Sequence, residues 1–157
     1  MQKVLKLTCL CLEMDKKLAK IESFINEHHV LSLASKGDED LSVCSLFYAF
    51  DLKTMSFIVA SSDDTQHIKN INQNQNIAGN ILLETKTVGK IQGLQFKGKF
   101  FSLDDLKLKK KYFKVFPYAV AIKPKLWQIK VSCFKMTDNR LGFGKKIICQ
   151  NLEKFWV

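Results

Sequence analysis

The sequence predicts a mainly β protein of the α+β class, with six antiparallel strands closing or nearly closing a barrel and helices packed at its ends. Three observations carry this. Strand-like runs follow one another at spacings too short for parallel crossovers, which need a dozen or more residues. One long strand-like run, KIQGLQFKGKFFSL from Lys90 to Leu103, holds internal glycines at Gly93 and Gly98, as strands do where a barrel turns a corner. Helical periodicity is confined to three segments that separate groups of strands.

Taken in order, residues 1–12 carry no helix cap and no clean alternation, and read as an N-terminal tail or an added edge strand outside the main domain, 13–150. Asp15 is a candidate N-cap for a helix to about Glu27, with Leu18, Ile21, Phe24 and Ile25 on its inner face and Lys16, Lys17 and Lys20 outward. Val30–Ser35 and Leu41–Phe50 form a hairpin about the turn at Lys36, Gly37 and Asp38. A second turn at Asp51 leads into Met55–Ala60. Ile77–Glu84 is a fourth strand and Lys90–Leu103 a fifth. Asp104 is placed to cap a helix to about Phe116, with Leu108, Tyr112 and Val115 inward and its lysines forming a solvated face. Pro117 stops that helix. In the sixth strand, Leu126–Met136, Trp127, Ile129, Val131 and Cys133 alternate with polar residues. Thr137–Gly144 is turn-rich, Lys146–Gln150 is a short strand, and 151–157 is a C-terminal tail.

Composition narrows the function. With 157 residues, 46% of them hydrophobic, the chain fits one domain that buries its own core. No run approaches the roughly 20 apolar residues of a membrane span. The opening MQKVLKLTCLCL is interrupted by Lys6 and lacks a small-residue cleavage site, so a cytoplasmic protein with no membrane partner is expected. Cys9, Cys11, Cys44, Cys133 and Cys149 are odd in number and include no C-x-x-C pair, which favours reduced thiols. His28, His29 and His67 lack metal-site spacing. Lysine plus arginine exceed the acids by 25 − 15 = 10, yet Arg140 is the only arginine. Nucleic-acid readers lean on arginine for base edges and stacking, so this charge reads as a solvated surface before a nucleic-acid site.

The stretch from Phe57 to Ile77, FIVASSDDTQHIKNINQNQNI, joins a buried strand to a hydroxyl-rich helix start. Free N–H groups and the positive dipole end at such a start suit a phosphate. The competing reading is an ordinary cap in which Asp63 pairs with Gln66, and the two carboxylates of Asp63 and Asp64 would repel an anion.

The order of elements, with FYAFD at Phe47–Asp51, Ser61 with Thr65 and His67, IQGLQFKG at Ile91–Gly98 and TDNRLGFGKK at Thr137–Lys146, resembles the FMN-binding split barrels related to pyridoxamine 5′-phosphate oxidase, most closely their small bacterial YhbP-like branch. The resemblance spans about residues 15–150. It implies a six-stranded split barrel with Greek-key connections, a homodimer with the cofactor at its two-fold interface, and an FMN phosphate held by Ser61, Ser62, Thr65 and a protonated His67. It also sets Gln95 beside the flavin ring, Trp127 near the cofactor or in the core, and Asn139, Arg140 and Lys145 in a segment that closes over the site or reaches the second subunit. The implied activity is an FMN-dependent oxidoreductase acting on a small-molecule redox substrate, with no catalytic acid, base or nucleophile identified. Basic phosphate-clamping residues and an arginine-containing substrate segment of the pyridoxamine oxidases are missing, which disfavours pyridoxamine 5′-phosphate as substrate. The rival reading is a haem- or flavin-binding protein without turnover, for which His28, His29 and His67 are the only imidazoles.

Overall fold

The computed structural model describes residues 2–156, with side chains from residue 13 onward. The elements are α1 (Gln2–Glu27), β1 (Val30–Lys36), β2 (Leu41–Asp51), β3 (Ser56–Ala60), α2 (Gln66–Gln73), β4 (Asn76–Leu82), β5 (Gln92–Ser102), α3 (Leu106–Val115), α4 (Ala119–Ile122), β6 (Leu126–Asp138) and β7 (Lys146–Cys149). The strands run β3-β2-β1-β4-β5-β6-β7, every pairing antiparallel, and β3 also pairs with β6. Six strands therefore close a barrel and β7 extends beyond β6. Because β4 returns through α2 to lie beside β1 and not β3, the first four strands form a Greek key.

Inward alternation fills the barrel with aromatic rings around Phe57. Its ring centroid lies 5.1 Å from Tyr48, 5.0 Å from Phe50, 4.9 Å from Phe96 and 6.1 Å from Phe134. Tilted and edge-on contacts of this kind add to the apolar burial of each ring. The inner face of α1 (Leu18, Ile21, Phe24, Ile25) packs into the same core, and the Tyr48 hydroxyl donates to the carbonyl of Ile25 at 2.7 Å. At the other end, Ile68 and Ile71 of α2 enter the core, and the Asn70 amide ties α2 to Asp40 and Ser42 at 3.1 Å each. A second apolar cluster lies outside the barrel, where Leu108, Tyr112 and Phe116 cover Ala49, Ile58 and Leu126.

Several local expectations change. The helix does not start at Asp15: its backbone is continuous from Gln2, so residues 2–12 are helical and not an added strand. The first 27 residues contain no Gly or Pro to break a helix, and Leu, Lys, Met and Gln favour one. The side chains of Cys9 and Cys11 lie outside the described residues. Asp105, not Asp104, caps α3, its carboxylate accepting from the amides of Lys107 (2.7 Å) and Leu108 (3.3 Å). Residues beyond 150 pack onto the barrel: Leu152 is fully buried and the Trp156 indole donates to the Val131 carbonyl at 2.9 Å.

A β-bulge at Ser132 of β6, which has no partner in β5, lies opposite the step from Lys97 to Gly98. It shifts the inward face of β6 from Trp127, Ile129 and Val131 to Phe134 and Met136, so Cys133 does not continue the buried face. Gly98 is required there because a Cβ would press into the Lys130 carbonyl, whereas a Cβ on Gly93 would meet Leu82 Cδ1 at 3.6 Å and the Ile81 carbonyl oxygen at 4.0 Å, both ordinary contacts. Gly98→Ala should therefore destabilise the protein by about 1–3 kcal/mol, the usual cost of overpacking, while Gly93→Ala stays within about 0.5 kcal/mol. Urea unfolding of the two variants tests this, and equal midpoints would remove the close-approach role of Gly98.

Candidate functional site

The turn from β3 into α2 gathers polar side chains at one end of the barrel. Ser61 is held by its amide donating to Lys125 O (3.1 Å) and by its carbonyl accepting the Trp127 indole N–H (3.0 Å). Thr65 is the N-cap of α2 but makes no side-chain cap bond; its hydroxyl instead donates to Ser62 O at 2.8 Å. The expected Asp63–Gln66 capping pair is not formed: Asp63 pairs with Lys125 at 2.7 Å, and Gln66 bonds Asn70. His67 Nε2 lies 2.7 Å from Ser61 Oγ and 3.3 Å from Thr65 Oγ1. Ser62 is exposed beside this knot.

Magnitudes rank what holds the loop. The Asp63–Lys125 pair is largely exposed, and such pairs contribute about 0.2–1 kcal/mol or nothing. The buried Trp127 and His67 bonds matter more, since breaking either strands a polar atom away from water. Trp127 is a core residue, packed 5.5 Å from Phe100 with Lys125 Nζ 4.5 Å over its ring.

Burial pushes the His67 pKa below its ordinary value, because the charged imidazolium loses solvation. Burial thus works against the protonated ring that a phosphate-holding His67 would use. In the tautomer with hydrogen on Nε2 it donates to Ser61 Oγ and leaves the serine O–H to turn outward.

Gln95 lies elsewhere. The outward residues of β1, β2, β4, β5, β6 and β7 form an open groove of about 600 Å³, lined by Ser32, Ala34, Val43, Ala78, Asn80, Gln95, Lys97, Cys133, Lys135 and Ile148. Its floor is apolar and its polar groups are the three amides of Asn80, Gln95 and Gln150, two lysines, a serine and a thiol. Gln95 pairs with Lys135 of β6 and Trp127 with Ser102 of β5, so the two candidates are 135 − 127 = 8 residues apart along β6, roughly 26 Å of strand. Five of the six candidate residues thus share one place and the sixth another. The sequence reading missed Cys133 and Lys135 as groove residues because the bulge inverts their facing; the apolar Phe134 and Met136 between and beyond them were the available signal.

Arg140 closes over neither place. At the opposite end of the barrel, beside α1, it forks onto the buried Asp138, with Nε to Oδ1 at 3.0 Å and a terminal nitrogen to Oδ2 at 2.9 Å; Gln92 donates to Oδ2 at 3.0 Å. The guanidinium bonds hold the Asp138 carboxyl below the usual carboxylate range. Asn139 bonds Val88 O at 2.8 Å. Among the described residues no group of three or more His, Cys, Asp or Glu could hold a metal ion, and no helix is long and apolar enough to cross a membrane.

His67 makes stability depend on pH. Its folded pKa lies below the unfolded 6.5, so the contribution of the neutral ring is fully present above pH 6.5 and is lost as pH falls through the folded value. The melting temperature of the wild type should drop more than that of His67→Gln between about pH 7.5 and about pH 5.5. Parallel profiles would show that His67 is not the titrating group.

No protein-family model matches the sequence. A UPF0306 protein of Klebsiella pneumoniae is 33% identical over 133 residues, covering 83% of this chain and 90% of that one. Among solved structures the fold is similar to HutZ, a haem storage protein of Vibrio cholerae (TM-score 0.64, 13% identity, 76% of this chain and 92% of that one). It is also similar to an FAD-binding protein of Mesorhizobium loti (TM-score 0.63, 13% identity, 76% and 90%). A haem-binding protein of Mycobacterium smegmatis matches with TM-score 0.65 and 12% identity over 82% of this chain, which spans about half of that longer protein, 54%. At such identities these three are likenesses of fold, that of a split barrel. The sequence match to the Klebsiella protein, nearly end to end, shows more: the chain belongs to the UPF0306 family.

Proposed function

We propose that this protein binds a planar, anionic cofactor of the flavin or haem type on the uncovered face of its barrel, with FMN the ligand its donor groups fit best, in a homodimer whose second copy completes the site. The observation that carries this reading is the groove itself. Ala34, Val43, Ala78 and Ile148 offer an apolar floor for a flat ring, the Asn80 and Gln95 amides match a ring edge rich in hydrogen-bonding atoms, and Lys97 and Lys135 suit an anionic tail. The volume of about 600 Å³ lies within the range of small-molecule sites.

The loop of Ser61, Ser62, Thr65 and His67 supplies hydroxyls, an imidazole and the uncapped start of α2, a donor set for a phosphate. One FMN does not reach from this loop to Gln95 within a single chain. A two-fold interface that sets the loop of one copy against the groove of the other brings them together, which is the physical reason for the dimer. The kinship to the pyridoxamine 5′-phosphate oxidase-like split barrels belongs to this same reading.

Binding is the part that similarity of fold supports best, since neighbours are named for haem storage and for FAD binding. Oxidoreduction of a small-molecule substrate is the further step: a bound flavin would supply the hydride or electron chemistry, and the groove residues would orient it and exclude water. Haem is the second reading. It is favoured by Cys133 in the groove, since a thiolate is a known axial donor, and by the two lysines, which suit propionates. No histidine lines the groove: His28 bonds Phe24 O, and His29 stacks on Phe47.

Visible spectra of the purified protein titrated with FMN, riboflavin and haemin test the proposal. Gln95→Ala with Lys135→Glu should weaken the cofactor that binds. Thr65→Ala and His67→Ala should each weaken FMN about ten-fold or more, because a hydrogen bond to a charged group is worth about 1.5–3 kcal/mol, while riboflavin changes little. Equal losses for FMN and riboflavin would move the loop from the phosphate to the ring or the fold. Wild-type protein that takes up neither flavin nor haemin would end the proposal.

A further inference from the structure

We propose that the α3–α4 corner is a peripheral docking surface for an anionic lipid bilayer. From Leu106 to Leu126 the chain holds seven lysines and no acidic residue. Within the same stretch large apolar side chains face outward: Val115 is 50% exposed, Tyr118 64%, Val120 52% and Ile122 72%. Only Lys111 and Lys125 of the seven lysines are ion-paired, to Asp51 and Asp63.

Two independent features thus coincide. The inner face of α3 is used up on the barrel through Leu108, Tyr112 and Phe116, so the exposed side chains of α4 are not needed by the fold. The short helix Ala119–Ile122, ended by Lys123 in the left-handed region at φ 49°, projects Val120 and Ile122 from a corner. An exposed apolar tip with a tyrosine beside it and lysines in the same stretch is suited to the headgroup boundary: the apolar groups enter the acyl edge, the phenol stays at the interface and the ammonium groups meet lipid phosphates. Nucleic acid has no use for exposed Val120 and Ile122, and the stretch holds no arginine for base contacts. A bilayer partner of this kind needs no membrane-spanning segment, which is where the expectation of no membrane partner came from.

Co-sedimentation of the full chain with phosphatidylcholine vesicles, with and without phosphatidylserine, tests this. The phosphatidylserine vesicles should bring the protein down, less so as salt rises, and the plain ones should not. Val120→Ser with Ile122→Ser, and separately Lys107, Lys110, Lys114 and Lys123 all changed to Gln, should each lower vesicle affinity about ten-fold or more. Their melting temperatures and cofactor titrations should match the wild type, which keeps this result separate from the cofactor reading. No sedimentation with phosphatidylserine overturns the proposal, as do variants that bind like the wild type. It is equally overturned if the apolar variant changes the mass in light scattering, which marks a self-association face, or if the lysine variant loses duplex DNA while keeping vesicles.

Discussion

Closure of the sheet by β3 on β6 is the constraint from which the rest of the structure follows. β3 is only five residues long, yet it pairs along its whole length with β6 and from Ser56 to Val59 with β2. That pairing removes both edges of the barrel and sets Phe57 at the centre of four other aromatic rings. It also dictates the Greek key. With β3 committed to β2 and β6, the chain must cross the barrel end through the Ser61–Thr65 turn and α2 before β4 finds its place beside β1. The polar knot of Ser61, Thr65 and His67 is thus positioned by barrel closure, and the Trp127 indole of β6 fixes the turn from the far side of the same strand pair.

Closure decides which outer surfaces are covered. α1 and α2 occupy the two ends of the barrel, and α3 lies over the β2–β3–β6 side through Leu108, Tyr112 and Phe116. The first half of β2 with β1, β4, β5, the second half of β6 and β7 is left without a covering helix. Leu41 (71% exposed), Val43 (70%) and Leu82 (59%) project from it, a concentration of apolar side chains that soluble surfaces seldom carry without a partner. The groove with Gln95 lies on this face, so the same missing cover would serve both the cofactor site and the second copy proposed above.

Much of the fold was legible in the sequence. Period-two alternation marked the strands, and their short connections excluded parallel neighbours. The glycines in KIQGLQFKGK pointed to bends at both Gly93 and Gly98, yet the bulge occurs only at Gly98, since a glycine needed for close approach and one that is merely tolerated read alike. What failed has physical causes. The bulge at Ser132 breaks alternation inside β6, so a face assignment extended from Trp127 puts Cys133 on the wrong side. Adjacent aspartates left the α3 cap ambiguous by one residue. The site was legible only in halves: the Ser61–His67 turn stands out by composition, whereas the groove is built from single outward residues on six strands that no local pattern links. The burial that lowers the His67 pKa comes from residues distant in sequence, so a local reading of hydroxyls and imidazole carried no sign of it.

The central claim is that the uncovered barrel face is an interface between two copies, and the mass of the full chain in solution tests it most directly. Light scattering at micromolar concentration should give twice the chain mass of 18.0 kDa for the wild type, and a single chain mass for Val43→Asp, which sets a carboxylate in the middle of that face. A wild type that scatters as one chain would contradict the account.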